Sequence, residues 1–136
     1  MILLDTHVWI WWVHDDPMPR DLKELLEETH EALAVSAISC WEIAKLIELG
    51  RLDLPRDVGE WLELALEPSD VSLIPLTPEI AVESTQLPGD FHRDPADQII
   101  VATSLVHGFS LATCDEKIRD YPCVRLFGEV MMIHDG

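Results

Sequence analysis

Four short apolar runs, at residues 2–4, 32–36, 71–76 and 109–114, are separated by segments whose apolar residues recur at helical spacing. Strand-length runs alternating with helices point to a parallel sheet, because each parallel connection must cross back over one of its faces. Ile2-Leu3-Leu4 predicts the first buried strand. From Thr6 onward, His7-Val8-Trp9-Ile10-Trp11-Trp12-Val13 is apolar on nearly every side, which suits a helix buried on several faces or at a subunit interface. Asp15-Asp16-Pro17-Met18-Pro19 ends that helix. Residues 20–30 predict a polar helix anchored by Leu22, Leu25 and Leu26. Ser39-Cys40-Trp41-Glu42 matches the S-x-x-E capping box, opening a helix that stops at Gly50. Further helices are expected over 58–66, over 79–87 behind Pro78, and from about Asp97 to His107, with Gly108 as the stop. Residues 124–127 and 130–133 are alternative candidates for a closing strand. The expected architecture is a three-layer α/β/α sandwich around a mostly parallel sheet of four to five strands, with residues 1–136 forming one domain.

A hydrophobic fraction of 48% argues for a globular chain and against disorder. No apolar run approaches membrane-spanning length, and the N-terminus lacks the basic region and cleavage site of a secretory signal, so a cytoplasmic location is expected. Cys40, Cys114 and Cys123 show no C-x-x-C spacing, so reduced thiols are expected rather than a zinc site or disulfide framework. The tryptophans at 9, 11, 12, 41 and 61 read as core or interface residues. Trp11 and Trp12 cannot both face one core, so part of their helix is expected to contact another chain.

Asp5, Glu42, Asp97 and Asp115 fall where such a sheet would gather them. Asp5 and Asp115 follow strands, whereas Glu42 and Asp97 occupy the first turns of predicted helices. In an open parallel sheet, strand ends and the following helix starts share one edge. Each acid except Asp5 has an ordinary structural use. Glu42 can close the capping box, Asp94 can cap a helix with Pro95 at its first position and Asp97 at its third, and Asp115 can begin a turn. Asp5 is harder to dismiss, because it directly follows a buried strand. Together the carboxylates would repel one another, and Mg²⁺ or Mn²⁺ is the natural counter-charge for an all-oxygen cluster. Thr6 and Thr113 can add hydroxyls or simply pack. His7 and His92 have no partner histidine at ligand spacing, so exposed or packing roles are expected. Lys45, Arg93, Lys117 and Arg119 lie near the acids in sequence, where they can contact phosphates or pair with neighbours.

Nine Lys+Arg against 26 Asp+Glu give a net charge of −17, which opposes binding to a polyanion. Three resolutions remain: a bound cation supplies local positive potential, a basic partner covers the surface, or the substrate is not nucleic acid.

Met1-Ile2-Leu3-Leu4-Asp5-Thr6-His7, Ser36-Ala37-Ile38-Ser39-Cys40-Trp41-Glu42-Ile43, His92-Arg93-Asp94-Pro95-Ala96-Asp97-Gln98-Ile99-Ile100-Val101-Ala102 and Leu111-Ala112-Thr113-Cys114-Asp115 together resemble the PIN domain, more narrowly the VapC-like toxins of toxin–antitoxin modules. The third segment, resembling an H-R-D-P-x-D motif, is the most specific. The resemblance implies a PIN-like (Rossmann-like) fold and an Mg²⁺- or Mn²⁺-dependent endoribonuclease acting on tRNA, rRNA or mRNA. Its catalytic and metal-binding quartet would be Asp5, Glu42, Asp97 and Asp115, with Asp94 as an additional acid. Asp5 and Asp97 would hold the principal ion, while Glu42 and Asp115 complete its shell. A homodimer is also implied, together with a cognate antitoxin whose basic C-terminal segment runs over the acidic groove. Ala96 and Gln98 depart from the subgroup, which often has Phe and Arg there.

Two other readings fit parts of the pattern. A phosphoacceptor signalling domain also uses strand-end acids, Mg²⁺ and a Thr, but it wants paired acids after the first strand and a Lys after a late one. A non-catalytic acidic groove that grips a basic peptide suits the net charge.

Overall fold

The computed structural model describes residues 1–14, 18–67 and 71–128. β1 (Ile2–Leu4) lies inside the sheet, and its three side chains are fully buried. It pairs in parallel with β2 (Leu33–Ser36) on one side and β4 (Ser110–Ala112) on the other. β3 (Val71–Ile74) adds in parallel to β2, giving the order β3-β2-β1-β4. The outer side of β4 is extended by a parallel bridge at Leu126. There Leu111 N–H donates to Arg125 O (2.8 Å) and Phe127 N–H donates to Leu111 O (2.9 Å). Of the two expected closing segments, 124–127 is therefore the one that joins β4. The other, 130–133, lies outside the described residues.

Successive strand side chains point to opposite faces of a sheet, and two cores follow from that alternation. Ile2, Leu4, Leu33 and Val35 pack with Val8, Trp9, Leu26, Ile43 and Trp61, which belong to α1 (Thr6–His14), α2 (Arg20–Glu28), α3 (Ala37–Glu48) and α4 (Val58–Leu66). Leu3, Ala34 and Leu111 face the other way, against Ile100 and Val101 of α6 (Pro95–His107) and Ile118 of α7 (Glu116–Arg119). α5 (Pro78–Ser84) buries Ile80 completely. This is the expected sandwich, with helices over both faces of a parallel sheet.

The helix ends follow local chemistry. Thr77 caps α5 by accepting from Ile80 N (3.2 Å), with Pro78 at the first helical position. α6 stops at Gly108, whose φ of 71° is readily adopted only by a residue without Cβ. Some expectations need correction: α5, expected to reach residue 87, ends at Ser84. α3 begins at Ala37 rather than Ser39, because Ser36 at the end of β2 accepts from Ile38 N (3.2 Å) and takes the capping role. α7 was not foreseen, being too short to show helical periodicity.

Trp9 and Trp61 are buried in edge-on contact, with ring centroids 5.5 Å apart. Trp11 and Trp12 are half-buried, and Trp41 is exposed. No helix among the described residues is long and apolar enough to cross a membrane.

Ile100 belongs to the smaller core and is 0% exposed. Ile100→Ala is expected to lower unfolding free energy by about 2–5 kcal/mol, read by urea denaturation. A loss below about 1 kcal/mol would mean that the α6 face of the sheet is not packed as described.

Candidate functional site

The chain runs into β2 and β3 on one side of β1, then returns to place β4 on the other. The carboxyl edge between β1 and β4 is therefore a topological switch point, where open α/β sheets form a crevice. Asp5 and Thr113 each stand one residue beyond these strands, side by side through the Leu4–Ala112 register. Asp5 N–H donates to Ala112 O (3.0 Å). Thr113 Oγ1 donates to Asp5 Oδ2 and Thr6 N–H donates to Asp5 Oδ1, both at 2.7 Å. Thr113 Oγ1 also accepts from Asp115 N (3.0 Å), joining the two strand-end acids through one hydroxyl. Asp115 caps α7 by accepting from Ile118 N at Oδ1 (3.1 Å).

Glu42 reaches the same edge along α3. Thr6 Oγ1 and Ser39 Oγ share a hydrogen bond of 2.8 Å, locking α1 to α3 one turn before Glu42. With Ser36 as the cap, Glu42 lies in the second turn and closes no capping box. That removes its ordinary structural explanation. Asp94 and Asp97 come from the start of α6, where Asp94 Oδ1 accepts from Asp97 N (3.1 Å) behind Pro95, as expected.

His92, expected to be exposed or to pack, does pack on Phe91, and it also approaches the acids, which the sequence did not reveal. It is half-buried, and its Nε2 lies 3.0 Å from Asp97 Oδ2. The signal was its place within the His92–Asp97 segment, but an isolated histidine has no ligand periodicity to reveal it. Ser39, read only as a cap, was missed as the partner of Thr6. Lys45 is engaged by Glu48 at 2.5 Å, the ordinary ion pairing that was the alternative to phosphate contact. Arg93 is exposed and lines a cavity of about 270 Å³ with Ser84, Thr85 and Gln98. Gln98, standing where the resemblance leads one to expect Arg, donates to His92 O (3.1 Å). Ala96 is buried in the first turn of α6.

Two sets of donor groups, His92–Asp97–Asp115 and Glu42–Asp94–Asp97, each offer ligand atoms within 4.8 Å of one another. Ligands on opposite sides of a divalent cation are roughly 4–5 Å apart, so either set is compact enough to hold one. The donor chemistry, rich in carboxylate oxygen, fits Mg²⁺ or Mn²⁺. Asp97 is common to both sets. Asp5 stands outside both, with its oxygens already accepting hydrogen bonds.

Burial and crowding act on these acids in one direction. Asp97 is pushed up to about 7, first by burial and then by Asp94, Asp5, Asp115 and Glu42. Burial raises Asp5, opposed by the hydrogen bonds from Thr113 and Thr6. Burial also raises Glu42, opposed by a hydrogen bond from Thr6.

The family model described as PIN domain matches residues 2–122 of this chain. "Ribonuclease VapC22" from Mycobacterium tuberculosis is 37% identical over 121 residues, covering 88% of this chain and 91% of its own. A toxin–antitoxin complex from Klebsiella pneumoniae shares the fold at 23% identity and a TM-score of 0.63, over 90% of this chain and 93% of that one. VapBC2 from Rickettsia felis, solved with a DNA fragment from its promoter, does so at 16% identity and a TM-score of 0.66, over 93% and 98%.

A carboxyl whose folded pKa is raised favours the protonated form, so it contributes stability at low pH that is lost as pH climbs through the folded value. For Asp97 that window runs from about 4 to about 7. In chelator, the melting temperature should fall as pH rises across this window. Asp97→Asn should flatten the slope and raise the melting temperature at pH 7. Equal slopes in the two proteins, followed by scanning calorimetry, would show that Asp97 is not crowded as described.

Proposed function

The chain belongs to the PIN domain family, and on that premise we propose that it is a metal-dependent endoribonuclease, the toxin of a toxin–antitoxin module. The observation that carries this reading is the meeting of Glu42, Asp94, Asp97, Asp115 and His92, from distant parts of the chain, in two cation-sized donor sets around Asp97. The relative named a ribonuclease supports RNA as the substrate.

Asp97 is the central ligand in this reading, with Glu42, Asp94 and Asp115 around it and Asp5 closing the floor of the site. Mg²⁺ or Mn²⁺ held there would lower the pKa of a bound water and balance charge on the scissile phosphate. The protein's own hydroxyls are committed: Thr113 to Asp5, and Thr6 to Ser39 and Glu42. Burial raises the Cys114 thiol, so it stays protonated and makes a poor nucleophile. Water is therefore the nucleophile that the site favours. Thr113 and Thr6 hold Asp5 in one orientation, which keeps the carboxylate edge fixed during the reaction. With Lys45 paired to Glu48, exposed Arg93 beside Asp94 is the better placed phosphate contact.

The phosphoacceptor alternative is weakened at the end of β4, where Thr113-Cys114-Asp115 stands in place of a lysine. The peptide-gripping groove is compatible with the toxin, since an antitoxin with a basic segment would occupy the same acids. Half-buried Trp11 and Trp12 on α1 are the proposed contact to a second copy in a homodimer.

Asp97→Asn, assayed with Mn²⁺ on a panel of RNAs, should lower cleavage at least about 100-fold while far-UV circular dichroism is unchanged. Thr113→Val should cost about 10–100-fold, as expected for a group that orients a site carboxylate. Wild-type cleavage by Asp97→Asn would overturn the assignment.

A further inference from the structure

His92 is held more firmly than a surface histidine needs. Its carbonyl accepts from Gln98 Nε2 at 3.1 Å. Its ring packs on Phe91 with centroids 4.4 Å apart, and Phe91 packs on Tyr121 at 4.9 Å. Tyr121 Oη in turn donates to Pro88 O at 2.5 Å, tying the near end of the same loop to the body of the protein. The ring fixed in this way presents Nε2 at 3.0 Å from Asp97 Oδ2. That nitrogen is shielded from solvent, yet it has no partner in hydrogen-bonding geometry. Buried polar atoms are normally satisfied, and one left over at a site points to something that completes it. The same nitrogen lies within 4.8 Å of carboxylate oxygens of Asp97 and Asp115.

We propose that His92 Nε2 is a nitrogen ligand to a divalent cation held with Asp97 and Asp115, and that it tilts this site towards Mn²⁺ over Mg²⁺. The inference rests on the metal-dependent reading above. Carboxylates serve both ions, whereas imidazole favours the transition metal, because Mg²⁺ keeps to oxygen and water. Ligation through the Nε2 lone pair places the ring proton on Nδ1. This gives up only a long contact, 3.5 Å from Asp94 N. The competing use of the same geometry is an ion pair between protonated His92 and Asp97, which puts no nitrogen on the metal.

The test is pulsed electron paramagnetic resonance of the full chain loaded with Mn²⁺ alone, without RNA. Wild type should show imidazole nitrogen coupling to the ion, and ¹⁵N-histidine labelling of the same protein should change its pattern, with no substitution needed. His92→Gln should abolish the coupling and weaken Mn²⁺ binding about tenfold, while Mg²⁺ binding changes by less than about twofold. His7→Gln should leave the coupling intact. Absence of nitrogen coupling in wild type, with Mn²⁺ bound and lost in Asp97→Asn, would overturn the histidine ligand and leave the carboxylate site standing. Equal weakening of both ions in His92→Gln would likewise overturn the preference. Failure of Asp97→Asn to affect Mn²⁺ binding at all would remove the metal reading itself, and this inference with it.

Discussion

The pairing of β1 between β2 and β4 is the constraint on which the rest of the molecule depends. Three residues, Ile2 to Leu4, bond to partners about 30 positions away on one side and about 108 on the other. A slip of one residue would exchange the two faces, sending Leu3 into the core built for Ile2 and Leu4. The same slip would separate Asp5 from Thr113. Register and site geometry are therefore specified together, by apolar burial on both faces of a very short strand.

That arrangement concentrates negative charge where the two halves of the sheet diverge. Under the proposed function capping and metal holding would not compete there, because a carboxylate has two oxygens. Asp94 and Asp115 each use Oδ1 to cap a helix, which leaves the second oxygen for other work and fixes the direction in which it points. The starts of α6 and α7 also bring partial positive charge to this edge, easing part of the repulsion. What remains falls on Asp97, held among four other acids and pushed up to about 7. A fold that tolerates this strain without a cation is one whose stability was established elsewhere, in the two apolar cores.

The alternation of strands and helices was legible because it rests on local periodicity, and 58–66 came out with the bounds of α4. Asp94-Pro95 was legible for the same reason, since cap and first-turn chemistry are local. The start of α3 was not. Ser36 and Ser39 are both good caps, and only the tertiary contact between Ser39 and Thr6 decides which is spare. His92 was invisible for a related reason. Its approach to Asp97 depends on the path of the loop before α6 and on anchoring by Gln98 and Tyr121, and Tyr121 is far off in sequence. Four acids were nameable from strand ends and helix starts, while the nitrogen beside them needed the loop's path.

The net charge of −17 looks at first like an argument against RNA, and the ion pairs sharpen it. Arg20, Lys45 and Arg56 are each taken up by a glutamate on their own helix or beside its start. Arg119 donates to Thr113 O. With 26 acids against nine cations the net field does not draw a polyanion from a distance, so under the proposed function attraction must be local, through a bound cation and contacts such as Arg93. The same field acts in the opposite sense on a basic peptide. A cationic inhibitor would be drawn towards the groove over the distance at which RNA is repelled, and its advantage would shrink as salt screens the field. Under the proposed function, acidity that weakens substrate capture would favour a basic antitoxin in competition for one set of carboxylates, and so would hold the nuclease silent until that partner is removed.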